Sequence, residues 1–201
     1  MLNKYVLSGL LCLAVQFAFA QEQAQTQDDL LQHYAKQMAS VQTLKSNFTE
    51  EKHLSLLNQP LQSKGNFSFD KNARQLRWQY EQPFSNGFLI EGEQVYRLQN
   101  EEKKPVRQAL ERMFMAEMLA WLTLDFKTLQ KNYKVTLNGF QVTFEPHNPG
   151  HKIVKKITVW LDEKEIRRVT QVKMEEPSGD FIVWKFENTQ INPPFSGEEL
   201  K

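Results

Sequence analysis

The spacing of hydrophobic positions changes along the chain, and each change marks an element. Leu30, Tyr34, Met38 and Val41 recur at helical spacing with Leu31 and Leu44 beside them, which predicts one amphipathic helix over about 28–44. Thr26 followed by Asp29 resembles a capping box with Asp in place of Glu. From Ser46 the period becomes two. Phe67 and Phe69 alternate with polar neighbours, as do Leu76, Trp78 and Tyr80, and short strands follow at 88–90 and 95–98 around a Glu91-Gly92 turn. One dry and one wet face is the signature of an antiparallel sheet. Pro105 breaks the pattern, and residues 107–131 contain neither Gly nor Pro; Leu110, Met113, Phe114, Met118, Trp121 and Leu122 form a helical stripe there. A second helix is expected over 107–131.

Period two resumes at Tyr133. An Asn138-Gly139 turn between alternating runs is a strong hairpin signal. It predicts that Leu137 pairs with Phe140, Val135 with Val142 and Tyr133 with Phe144, all on one face. Strands around 153–161, 165–174 and 180–187 complete the series, with turns at 162–164 and 177–179 and a dry face of Ile182, Trp184 and Phe186 in the last. About ten or eleven consecutive antiparallel strands must curl or split, and a curled sheet has a concave apolar face that helices or a ligand can fill.

The first twenty residues belong to neither pattern. Lys4 precedes a nearly unbroken apolar run, Tyr5 to Phe19, and Ala18-Phe19-Ala20 places small residues before Gln21. This is the anatomy of a cleavable secretory signal; the run is short for a membrane anchor. The single cysteine, Cys12, lies inside it and follows Leu11, which does not fit a lipidation site. Cleavage near Ala20 leaves residues 21–201 as one domain without a thiol, opening on a polar, flexible leader at 21–27. Loss of Lys4 leaves 24 bases against 24 acids, a balance unsuited to nucleic acid. Fourteen Phe, four Trp and five Tyr suit a β core or a greasy cavity.

Signs of catalytic or metal chemistry are weak. His147 and His151 have metal-pair spacing, but Pro149 and Gly150 between them make a turn; His33 and His53 read as surface residues. There is no phosphate-binding glycine loop, nucleophile elbow or HExxH motif. The acidic neighbours Glu50-Glu51, Glu101-Glu102, Glu175-Glu176 and Glu198-Glu199 alternate faces on a strand and read as solvated charge. No catalytic residue, metal ligand or cofactor is assigned, and an enzyme is not expected.

Phe48-Thr49-Glu50, then Gly65 with Phe67 and Phe69, then Leu76, Trp78, Tyr80 and Pro83 resemble the LolA family, whose members read F-T-Q, G-x-[FL]-x-[FV] and F-x-W-x-Y-x-x-P. Leu89 to Gly92, Val95-Tyr96 and the run from Gly179 to Phe186 with Asn188 extend the likeness over the mature chain. The resemblance implies an unclosed half-barrel of about eleven antiparallel strands with helices capping a hydrophobic cavity. It also implies a monomeric periplasmic carrier of acylated proteins or other envelope lipids, loaded by an inner-membrane transporter and unloaded at an outer-membrane acceptor. A sensing or assembly module of the same fold that transports nothing is the alternative.

The physics suits a carrier, since an acyl chain of about 16 carbons carries roughly 12 kcal/mol of transfer free energy. The expected lipid-binding wall is Phe67, Phe69, Leu76, Trp78, Tyr80, Phe88 and Ile90; the expected lid is Met113, Phe114, Met118, Trp121 and Leu122, with methionines able to repack. Each of these serves equally well as plain core. Trp78→Glu is expected to impair lipid loading while sparing secretion. Two departures stand out. Where family carriers often have a cargo-retaining Arg-Pro pair, this chain reads Asp70-Lys71-Asn72-Ala73-Arg74, and Glu50 replaces the usual glutamine.

Overall fold

The computed structural model describes residues 29–99, 102–148, 150, 153–195 and 200. The expected leader and signal, with Cys12, lie outside the described residues, as do His151, Glu101 and the pair Glu198-Glu199.

Eleven strands form one antiparallel sheet: β1 (Thr43–His53), β2 (Leu61–Asp70), β3 (Gln75–Gln82), β4 (Asn86–Glu91), β5 (Gln94–Gln99), β6 (Glu102–Pro105), β7 (Tyr133–Asn138), β8 (Gln141–Pro146), β9 (Lys156–Leu161), β10 (Val169–Glu175) and β11 (Phe181–Ile191). Their spatial order is β6-β5-β4-β3-β2-β1-β11-β10-β9-β8-β7. Each strand pairs with its neighbours in sequence, except that β1 pairs with β11 and the edges β6 and β7 stay apart. The sheet is therefore an open half-barrel. Helices α2 (Ala109–Thr123) and α3 (Phe126–Asn132) connect its two edges, and α1 (residues 29–39) precedes β1.

Rows of apolar side chains cross the concave face. One row runs Leu44, Phe69, Leu76, Ile90, Val95. Another runs Trp184, Val172, Val159, Val142, Leu137. Side-chain parity fixes these registers, because a one-residue slip would turn each buried row to the solvent. Trp78 is the hub: it stacks on Phe48 (4.1 Å), Phe67 (5.4 Å) and Phe88 (6.1 Å) and meets the edge of Phe186 (6.2 Å).

Three expectations change. The first helix stops at 39 rather than 44. Leu31, Tyr34 and Met38 are its buried stripe, while Leu30 is exposed; Val41 and Leu44 are buried outside the helix. The last turn tightens, with Ser40 and Val41 donating to the Gln37 and Met38 carbonyls (both 3.1 Å), and Leu44 then pairs with Phe69 in the sheet. The expected helix over 107–131 is two helices. Leu124 sits in the left-handed region (φ 45°) and its amide closes α2, after which Asp125 caps α3 by accepting from the Thr128 amide (3.2 Å) and hydroxyl (2.7 Å).

The third change is the hairpin register. Val135 pairs with Phe144, Leu137 with Val142 and Asn138 with Gln141, so the loop is Gly139-Phe140. Gly139 (φ 56°) takes the first loop position, where a glycine-first turn requires positive φ. Tyr133 consequently faces Pro146, and Phe140 lies partly exposed in the turn. Strand β6 is an addition: all four of its residues are exposed, so no dry face marked it. Pro105 is tolerated there because β6 is an edge.

Candidate functional site

Among the described residues, two sizeable cavities lie on the concave face, one under each half of α2. Between them Met118, Trp121 and Leu122 press onto Trp78, Val172, Trp184 and Phe186, leaving a gap of only about 10 Å³. Under the C-terminal half lies a cavity of about 580 Å³, walled by Met38, Val41, Phe69, Ile90, Leu119, Leu124 and Phe126. Under the N-terminal half lies one of about 440 Å³, with Tyr80, Phe88, Leu98, Phe114, Met115, Met118 and Trp184 on its walls. Both fall in the range of small-molecule sites.

The anticipated wall and lid are divided by this arrangement. Phe69 and Ile90 reach the larger cavity, and Tyr80, Phe88, Phe114 and Met118 the smaller. Trp78, Trp121 and Leu122 close the gap between them, Phe67 borders a second small gap, and Leu76 is fully buried in the core. Met113 is 59% exposed and turns away from the trough. Residues of α1 and of the α2–α3 junction complete the larger cavity; their apolar character gave no sign of which would border empty space.

Glu50 departs from the reading as solvated charge. It follows Ser46 and Phe48 at two-residue intervals on the inner face of β1, so parity points it inward. One of its oxygens accepts from the Tyr80 hydroxyl and from the Trp184 indole, both at 2.6 Å. Its neighbour Glu51 points outward to Lys185 (3.3 Å). The indole nitrogens of Trp78 and Trp121, by contrast, have no hydrogen-bond partner among the described residues. Each is a cost of about 1–3 kcal/mol at the closed centre of the trough.

Among the described residues, two side-chain bonds tie α2 to the half-barrel. Arg97 donates to Glu111 (2.7 Å), and the Tyr133 hydroxyl donates to Glu117 (2.6 Å). Burial, and secondarily the Glu50 carboxylate, push the Tyr80 phenol above its ordinary value; burial and the bond to Glu117 do the same for Tyr133. Both are donors held protonated rather than bases. A phenol raised in the folded state stabilises fully below about pH 10 and loses that contribution as pH climbs further. In an alkaline titration Tyr80 and Tyr133 are therefore expected to ionise only as the protein unfolds, and Tyr→Phe variants to lack that delayed step. Ionisation of these two phenols near pH 10 in still-folded protein would contradict the geometry.

His53 stacks on Phe181 (4.2 Å), His33 is exposed on α1, and His147 meets the Gln130 carbonyl (3.1 Å). Among the described residues no three His, Cys, Asp or Glu side chains gather as a metal site.

The family model for outer membrane lipoprotein carrier protein LolA matches residues 39–200. The chain belongs to the LolA family. No curated protein sequence matches it. Among solved structures, a DUF1329 family protein from Desulfovibrio piger is 13% identical, with 85% of this chain and 94% of that one covered and a TM-score of 0.51. A conserved protein from Thermus thermophilus is 7% identical (87% and 93% covered, TM-score 0.54). A chain of the Pseudomonas aeruginosa MucA/MucB complex is 12% identical (86% and 59% covered, TM-score 0.52). At these identities the likeness is one of fold. In this LolA-family chain Phe48, Gly65, Trp78 and Tyr80 lie together where β1, β2 and β3 pair.

Proposed function

We propose that this LolA-family protein is a non-enzymatic periplasmic carrier. In this reading it takes up the acyl chains of lipoproteins or other envelope lipids from an inner-membrane transporter and yields them to an outer-membrane acceptor. The leader over residues 1–20, cleaved near Ala20, supplies the export. One observation carries the reading: a single helix separates a mainly apolar cavity from a second of mixed lining with three side chains, Met118, Trp121 and Leu122. Lifting α2 merges both cavities and the gap into one trough along the aromatic face.

The hinge is Leu124, a non-glycine residue held at φ 45°, where backbone strain stores about 1–3 kcal/mol. Opening breaks the Arg97–Glu111 and Tyr133–Glu117 bonds and exposes the two unpartnered indoles, which water or cargo carbonyls can then satisfy. The closed state is thus held by few polar contacts and relieved of some cost on opening, as reversible loading requires.

Native mass spectrometry of the protein purified without detergent tests this. The expected spectrum carries the added mass of an acylated protein or lipid. Leu119→Glu, a half-buried position facing the larger cavity, is expected to fold and to lose most of that mass, because the carboxylate makes the wall hostile to methylenes. A clean unliganded mass for the unaltered protein would favour a module that binds a protein partner and transports nothing.

A further inference from the structure

The larger cavity is apolar inside but not at its mouth. Lys71, Arg74 and Lys127 border it together with the carboxylate of Asp125. Asp125 is committed to capping α3 through both of its oxygens. The protein's ion pairs use other residues, and none of the three cations has a carboxylate partner among the described residues. In a chain whose formal net charge is only +1, this mouth keeps a positive surplus.

Two of the cations are anchored, Lys71 through its ammonium and Arg74 through its backbone. The Lys71 ammonium donates to the Ala39 carbonyl at the end of α1 (3.0 Å), which leaves two of its three protons for a ligand. Arg74 takes a left-handed backbone (φ 52°), and its carbonyl accepts from the Gly92 amide across the neighbouring turn (2.9 Å). The Asp70 carboxylate caps the same loop at the Ala73 amide (3.0 Å). An arginine with an anchored backbone, bordering the same cavity as two lysines, suits a phosphate, which a guanidinium meets with paired hydrogen bonds. The smaller cavity lacks this bias: its Arg97 is paired with Glu111, and Glu50 faces it beside Lys52.

We infer that the larger cavity takes an acyl amphiphile whose phosphate head group carries a net negative charge, its chain among Phe69, Leu119 and Phe126 and its phosphate on Lys71, Arg74 and Lys127. The inference rests on the carrier reading and sharpens it from any acyl chain to an anionic lipid.

The test offers the purified, delipidated protein vesicles containing equal phosphatidylglycerol and phosphatidylcholine, and native mass spectrometry reads which lipid is extracted. Exposed ion pairs contribute only a few-fold each, so three together give an expected preference of about tenfold for phosphatidylglycerol. That preference should shrink toward parity in K71Q/R74Q/K127Q and in 0.5 M salt, where the screening length falls to a few ångströms. The double variant R74Q/K127Q, which spares the Lys71 contact to α1, should show most of the same loss. Equal uptake of both lipids by the unaltered protein, or an undiminished preference in the variants, overturns the inference and leaves the carrier reading standing. Uptake of neither lipid overturns both. Competition by glycerol phosphate as effective as that of the intact lipid would make this a site for free phosphate and equally overturn the inference.

Discussion

Gly65→Ala is expected to lower the unfolding free energy by about 3 kcal/mol or more, at or beyond the upper end for overpacked cores. A Cβ on Gly65 would lie 2.0 Å from the Gln79 carbonyl oxygen and 2.7 Å from the Phe48 ring. The first contact is backbone of the paired strand, so relief means parting β2 from β3. The second is the ring that covers Gly65 in the cross-strand pair and stacks on Trp78. Gly87 repeats the arrangement on the far side of β3, with its Cβ position 2.1 Å from the Trp78 carbonyl. The two glycines let three strands close around the Trp78 backbone. Chemical denaturation of Gly65→Ala and Gly87→Ala checks this; a midpoint unchanged by either substitution would contradict the close approach.

Trp78→Ala should cost about 3–5 kcal/mol, the usual loss for a large buried aromatic. The ring is fully buried and makes three stacked contacts. Its removal also opens the floor beneath Met118 and Trp121, joining the closed gap to its surroundings. Trp78→Phe should cost clearly less, about 1–2 kcal/mol, because it keeps a stacking ring and deletes an indole N–H that has no partner. A loss in Trp78→Phe equal to that in Trp78→Ala would show that the N–H, not the ring, matters. The same burial revises the expectation for Trp78→Glu: an unpaired carboxylate at the hub of the core threatens the fold itself. Leu119→Glu probes loading more cleanly.

The strands other than β6 were legible because each buries one face, so period two survives in the sequence from Phe67 to Phe186. What escaped were places where a local signal was outranked. Val41 and Leu44 continue the helical spacing of α1, yet Leu44 is claimed by its strand partner Phe69. The α2–α3 break falls at a leucine, a residue that rarely adopts positive φ; the capping group Asp125, three residues before Thr128, was the available clue. Asn138-Gly139 marked the right hairpin but the wrong loop, because glycine in the first position serves a two-residue turn as well as glycine in the second. For the site, aromatics on β3 and β4 located the concave face, but whether a side chain borders space or fills it depends on what α2 presses against. Met113, one turn from the buried part of its helix, shows how little the stripe alone decides.

The pairing of β1 with β11 also governs how the molecule comes into being. All other strand pairs are hairpin neighbours that close over short loops, whereas this seam joins the first strand to the last, as in Leu44 with Ile191. A chain released N-terminus first, from a ribosome or a translocation channel, can assemble β1 to β6 as a self-contained meander. Its β1 edge, carrying Leu44 and Phe48, then stays bare until β11 emerges. Loop closure of that span is the slow, entropically costly event. In the interval the half-built sheet presents an unpaired, amphipathic strand to every neighbour. The seam at the centre of the finished trough is thus the most hazardous stage of its synthesis, and the stage at which a holding chaperone would matter most.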